Sequence, residues 1–299
     1  MSTKLFLKRL AETAKTVECA LDKALPACDS DPACRLTEAM RYSLLAGGKR
    51  LRAYLVTEFC LLCGGDAKKA LPYACGVEML HAFSLIHDDL PCMDNDVLRR
   101  GKPTNHVVYG ESTAMLAGDG LSVKAFEMLA GNPFCDGAQN AEACLLLAKE
   151  SGVTGMCGGQ IIDLEGEHHV LDAGTLETLV LRKTGALFAA ACELGCIAAG
   201  ADREKRNAAR DFAMKSGLAF QIADDLLDLH ATAEELGKTP GKDLQSEKNT
   251  FPALLSEEGA RNKALSLLAE AKEALGVFAQ SEAKEALKGY LDFVIGRKN

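Results

Sequence analysis

The 299-residue sequence predicts an all-α fold: one domain over residues 1–299, built as a bundle of roughly ten helices. Three observations carry the prediction. The composition is rich in Ala, Leu, Glu and Lys, lacks Trp, and has few of the Val, Ile, Thr and aromatic runs that strands favour. Apolar residues recur at helical spacing in long stretches separated by three conspicuous loops, Gly131 to Gly137, Glu165 to Gly174 and Leu236 to Pro252. No Pro/Gly/Ser-rich linker and no repeat of fixed period divides the chain, and 48% hydrophobic content is ample for a single large core.

Charge and cysteine usage narrow the function classes. A formal net charge of −8 excludes a protein whose affinity comes from neutralising nucleic-acid phosphates, so any anionic ligand must be held by local positive charge. No apolar run approaches the ~20 residues of a bilayer span, so no stable membrane insertion is expected. Glu12, Glu18 and Asp22 stand among the early basic residues, and neither a signal nor a transit peptide is expected there. The twelve cysteines include Cys60, Cys63, Cys75, Cys144, Cys192 and Cys196 inside apolar helical stretches, where small buried thiols are expected. Cys60 and Cys63 have C-x-x-C spacing without a second pair or a nearby histidine, which leaves a zinc site incomplete. These features predict a reducing cytoplasm.

Taken along the chain, Asp31 and Pro32 can open a helix that Gly47-Gly48 ends. "KRLR" follows at once, and Lys49 and Arg52, three residues apart, would share a face if a helix resumes there. "EMLHAFSLIHDD" continues as an apolar helix; alone, His81 reads as a core histidine, and the stripe it shares with Asp88 makes a ligand reading equally strong. Four aspartates then fall inside nine residues, Asp88, Asp89, Asp94 and Asp96, ahead of Arg99 and Arg100. Two carboxylates ~4 Å apart repel by about 4 kcal/mol at a protein surface, so the cluster calls for a cation. Pro91 interrupts the helix and lets Asp94 loop back toward Asp88. In "FQIADDLLDLH", Asp224 and Asp228 are one turn apart, with Asp225 beside them and Gln221 a turn earlier. Leucines stand where a solvated face would carry Lys or Arg. Two acidic faces on apolar helices, with Lys49, Arg52, Arg99, Arg100, Lys183 and Lys238 elsewhere, suit Mg²⁺ bound with a diphosphate. "DNDVLRRG" lacks the glycine and distal glutamate of an EF-hand loop. His168 and His169 read as solvated, and Cys92 has no role in such chemistry.

The chain resembles the trans-prenyltransferases, the short-chain isoprenyl diphosphate synthases that include farnesyl and geranylgeranyl diphosphate synthases. The resemblance covers nearly the whole sequence and rests on "GGKRLR", "HDDLPCMDND" with "LRRGKPTNH", "GGQIIDL", "LRKTGALF", "FQIADDLLD" and, further on, "KNTFP". It implies the isoprenoid synthase fold, mostly antiparallel helices around a deep central cavity, usually as a homodimer. It implies three Mg²⁺ ions on Asp88, Asp89, Asp94, Asp224, Asp225 and Asp228, holding an allylic diphosphate. Arg99, Lys183, Thr184, Gln221, Lys238 and Lys248 would be further allylic-side contacts, with Asp88, Asp94, Asp224, Lys183 and Arg99 the catalytic set. Lys49, Arg52, His81 and Arg100 would hold isopentenyl diphosphate. Val97 and Phe251 depart from residues common in the family, an acid and a tyrosine. The spacer Leu90 to Met93 resembles bacterial and plant forms.

The implied reaction is ionisation of the allylic diphosphate in an apolar cavity, attack by the alkene of isopentenyl diphosphate, and proton loss to the released diphosphate. A terpene cyclase of the same fold would replace the second cluster with a mixed Asn/Asp, Ser/Thr, Glu motif, and a non-catalytic partner subunit would lack one cluster; both are intact here. Phe83, with Ser84 beside it, lies about 7.5 Å of helix rise before Asp88, toward the closed end of the implied cavity. As a floor there, Phe83 predicts farnesyl diphosphate as product, with geranylgeranyl diphosphate as the alternative.

Overall fold

The computed structural model describes residues 2–28, 30–167, 169–229 and 249–296. Lys238, Lys248 and His168 lie outside them. The described residues form thirteen α-helices in a mostly antiparallel bundle, more than the roughly ten read from the pattern because several are short. They are α1 (Ser2–Ala24), α2 (Cys34–Leu44), α3 (Leu51–Leu62), α4 (Ala67–Asp88), α5 (Asn105–Tyr109), α6 (Glu111–Ala130) and α7 (Gly137–Ser151). After these come α8 (Met156–Gly166), α9 (Ala173–Val180), α10 (Ala186–Ala198), α11 (Arg203–Asp228), α12 (Phe251–Ala274) and α13 (Glu282–Gly296). Side chains open many of them: Asp66, Asp136, Asp172, Asp202 and Thr250 each accept a backbone N–H from the first turn, and Asp136 forms a full capping box with Gln139.

Helix α10 is buried at every residue, as expected of a helix with no polar face, and it packs against α3, α4, α7 and α11. Around it, α4 pairs with α6, α11 with α12, and the first helix with the last; Phe6 of α1 meets Tyr54, Tyr290 and Phe293. Between α9 and α10 the helix does not stop but widens into a π-helical turn, Leu181–Gly185. Helix α8 packs against this turn, and Gly159 is the point of closest approach: a Cβ there would sit 2.2 Å from the Lys183 amide nitrogen.

A two-stranded hairpin, β1 (Leu98–Arg99) and β2 (Lys102–Pro103), follows α4. Its two connecting residues, Arg100 and Gly101, both have positive φ, the backbone of a tight hairpin turn. The turn sends Arg99 and Arg100 to different partners. Cys60, Cys75, Cys192 and Cys196 are free and buried as expected, but Cys28 and Cys34 form a disulfide across the loop between α1 and α2.

Candidate active site

A cavity of about 940 Å³ opens between α3, α4, α11 and the widened turn. Three of the six aspartates assigned to metal line it: Asp88, Asp94 and Asp224. Asp88 is the last residue of α4, and the chain after Pro91 folds back so that the Asp94 amide donates to the Asp88 carbonyl at 2.9 Å. Burial, reinforced by Asp94 and Asp89, pushes the Asp88 carboxyl up to about 6, against the opposing pull of Lys183 and Arg99. Asp96, for which no role was foreseen, lines the same wall.

The other three aspartates stand elsewhere. Asp89 is 3% exposed, and its two oxygens accept three hydrogen bonds from Arg99, at 2.6 to 2.9 Å. It therefore faces the hairpin, since consecutive residues at a helix end point about 100° apart. Asp225 accepts from Gln221 Nε2 at 3.0 Å and from the Phe251 amide at 3.2 Å, tying α11 to the start of α12. Asp228 is exposed at the end of α11. Arg99 lines the cavity while bound to Asp89, so a carboxylate from beneath holds it in place.

The basic wall is built on strained backbone. Arg50 precedes α3 in a left-handed conformation, φ 51°, fixed by bonds from its guanidinium to the Leu44 carbonyl at 2.6 Å and to Glu78 at 3.3 Å. Because α3 begins only at Leu51, Lys49 lies in the preceding turn, and it is this turn rather than helical spacing that brings Lys49 and Arg52 to one cavity. Lys49 sits over the Phe293 ring and Arg52 over Phe188. Burial lowers the Arg52 guanidinium to about 10, and its Nε has no partner among the described residues. Burial, with Arg52, Arg100, Arg99 and Arg50 around it, drives His81 well below its ordinary range, so it is neutral. Arg100 donates to the Gly47 carbonyl. Several cations with an orphaned guanidinium nitrogen form a wall made for an anion.

Lys183 and Thr184 come from the π turn. Lys183 donates to Asp163 at 2.5 Å, and although burial opposes it, Asp163 with Asp88 and Asp94 holds the ammonium above its usual range. Thr184 Oγ1 donates to Gln221 Oε1 at 3.5 Å, and both line the cavity. A second, mostly apolar lobe of about 370 Å³ runs on from Asp88 and Lys183 past Phe83 and Ser84, with Met156, Ile161 and Leu164 of α8 as its other wall. Sequence reasoning passed over Glu78 and Asp163, although Glu78 lies one turn before His81 and Asp163 stands in a quoted motif.

Among the described residues no three acidic, imidazole or thiol groups converge as a self-sufficient metal site. The donor set fits Mg²⁺ nonetheless, because that ion takes one or two carboxylates and completes its shell with water and phosphate oxygens. Asp88 and Asp94, crowded together with one carboxyl raised, supply such a pair.

The polyprenyl synthetase family model matches residues 34–288. The chain is 45% identical over 297 residues to geranylgeranyl pyrophosphate synthase 7, chloroplastic, of Arabidopsis thaliana, covering 98% of this chain and 84% of that protein. It is 44% identical over 300 residues to the heterodimeric geranylgeranyl pyrophosphate synthase large subunit 1, chloroplastic, of the same plant, covering 98% and 80%. The crystal structure of an FPP/GFPP synthase from Zymomonas mobilis superposes with a TM-score of 0.88 at 38% identity, over 99% of this chain and 100% of that one. With a cavity that joins paired carboxylates to a cationic wall and an apolar lobe, the chain belongs to the polyprenyl synthetase family.

Proposed function

We propose that this protein condenses isopentenyl diphosphate head to tail with allylic diphosphates and releases the twenty-carbon geranylgeranyl diphosphate. One observation carries the reading: Asp88 and Lys183 line both lobes, so an acidic, cation-demanding mouth opens directly into an apolar channel. An amphiphile with a diphosphate head and a prenyl tail fits that junction.

Asp88, Asp94 and Asp224 would hold Mg²⁺, which supplies Lewis-acid stabilisation of the departing diphosphate when bound. Lys183 and Arg99 add fixed positive charge beside the same oxygens. Lys49, Arg52 and Arg100 would grip the second diphosphate, with neutral His81 offering a hydrogen bond rather than a fourth charge. The apolar lobe keeps water from the carbocation, and holding both substrates side by side makes the carbon–carbon step effectively unimolecular. No side chain is needed as base, because the released diphosphate lies next to the proton that must leave.

Twenty carbons replace the farnesyl expectation for a structural reason and a comparative one. Phe83 is only part of the lobe's lining, which includes Ser84 beside it and α8 as the opposite wall. The two Arabidopsis relatives are named geranylgeranyl synthases, and the Zymomonas protein an FPP/GFPP synthase. The test is chromatography of dephosphorylated products made by the full chain with Mg²⁺ and isopentenyl diphosphate from dimethylallyl, geranyl or farnesyl diphosphate. A twenty-carbon end product from all three is expected; a fifteen-carbon product that is not extended would return the reading to farnesyl, and no diphosphate release from any pair would end it.

A homodimer is part of the same proposal, supported by the exposed Val107, Val108, Met115, Leu116 and Val123 along α5 and α6; sedimentation of the full chain tests it. No described helix is long and apolar enough to cross a membrane. A cytoplasmic location is supported by the free buried thiols and opposed by the Cys28–Cys34 disulfide, while the two relatives are named chloroplastic, and imaging of the tagged full-length protein decides.

A further inference from the structure

Phe83 can stop a growing tail only if its ring cannot swing aside, and α4 alone does not prevent that. The neighbour four residues on does. His87 shares the helix face of Phe83, and the two rings meet edge to face with centroids 4.7 Å apart. Both residues line the apolar lobe.

His87 is itself fixed from the next helix. Its Nε2 lies 3.0 Å from the Met115 carbonyl of α6, and since a carbonyl only accepts, the imidazole must carry its proton on that nitrogen and donate it. Gly118, also on α6, makes room for the ring: a Cβ there would sit 2.3 Å from Nε2. The Asp119 carboxylate stands 3.8 Å from the same nitrogen. A continuous run of contacts therefore leads from α6 through His87 to the Phe83 ring.

We infer that His87 is a positioning residue for product length: clamped by Met115 and Gly118, it holds the Phe83 ring across the lobe and so sets where the prenyl tail stops. This rests on the proposed synthase activity. His87 makes no demand on the diphosphate chemistry in this role; its effect passes through the Phe83 side chain.

The experiment compares product chain length for wild type, Phe83→Ala, His87→Ala and the double variant, each assayed as the full chain with Mg²⁺, farnesyl diphosphate and excess isopentenyl diphosphate. Removing His87 frees the neighbouring ring, and the share of products beyond the wild-type length should rise about tenfold, the scale of losing one aromatic contact and one hydrogen bond. The double variant should make the same products as Phe83→Ala alone, because both changes open one floor. Loss of folding quality would lower yield at every chain length, whereas the inference predicts a changed distribution; His87→Asn, smaller and still polar, should shift it the same way. A wild-type distribution from both His87 variants while Phe83→Ala lengthens the product would overturn the inference, and so would additive lengthening in the double variant. Absence of any condensation product from wild type would instead remove the proposed function beneath it.

Discussion

Replacing Asp88 by asparagine should make the metal-free protein more stable while destroying its turnover. The ordinary carboxyl value of 3.8 is pushed up to about 6 at this position, by burial first and by Asp94 and Asp89 next. At 1.36 kcal/mol per unit the ionised form costs the fold about 3 kcal/mol at most, and about 1–2 kcal/mol once screening in a water-lined cavity is allowed for. The sign follows from the raised value. Below pH 3.8 the carboxyl is protonated whether the chain is folded or not, and wild type and Asp88→Asn should melt together. As pH rises through about 6 the wild type loses stability that the amide keeps. At roughly 2 °C per kcal/mol for a chain of this size, the variant should melt about 2–4 °C higher above pH 7. Turnover with Mg²⁺ should fall at least about a thousandfold, the scale of removing one strong electrostatic contact from a transition state. The assay is differential scanning calorimetry without metal from pH 4 to 8, beside steady-state turnover. A lower melting point at pH 8, a difference independent of pH, or near-normal turnover would refute the reasoning.

Asp89→Ala should do the reverse, lowering stability by about 2 kcal/mol because it leaves the half-buried Arg99 guanidinium without its carboxylate; a melting point equal to wild type would show that the pair is not structural. Among the cations, Lys183→Ala should chiefly raise KM for the allylic substrate and Arg100→Ala chiefly KM for isopentenyl diphosphate. Titrating each substrate with the other saturating separates them, and parallel effects on both would contradict the division of the basic wall.

The first aspartate cluster was readable because one proline lets Asp94 loop back to Asp88, whereas the meeting of Asp224 with them in one cavity was implied by the family resemblance and not by spacing. Their neighbours were not readable, since which side a residue takes at a frayed helix end depends on a partner far away in sequence. Asp89 turned to a hairpin arginine, and Asp225 to the start of a helix that follows long after. Lys49 and Arg52 converge through a turn whose left-handed Arg50 is held by Glu78, a contact across 28 positions that no local pattern carries. The tail lobe was half visible: α4 offered Phe83, but its opposite wall comes from α8 and its brace from α6.

The widened turn at Leu181–Gly185 makes the site depend on the spacing of the chain as well as on the identity of its side chains. It carries one residue more than an α-turn needs, and deleting any one of the five would let α9 and α10 run together as an uninterrupted helix with better backbone geometry. Because a π turn uses about one residue more than an α turn for the same full rotation, α9 and α10 would keep nearly their relative phase and the change would fall on the turn's own residues. At the cavity mouth, Lys183 and Thr184, which the widened turn aims at Asp163 and Gln221, would be re-aimed. A chain one residue shorter, with a more regular helix, would be a worse enzyme.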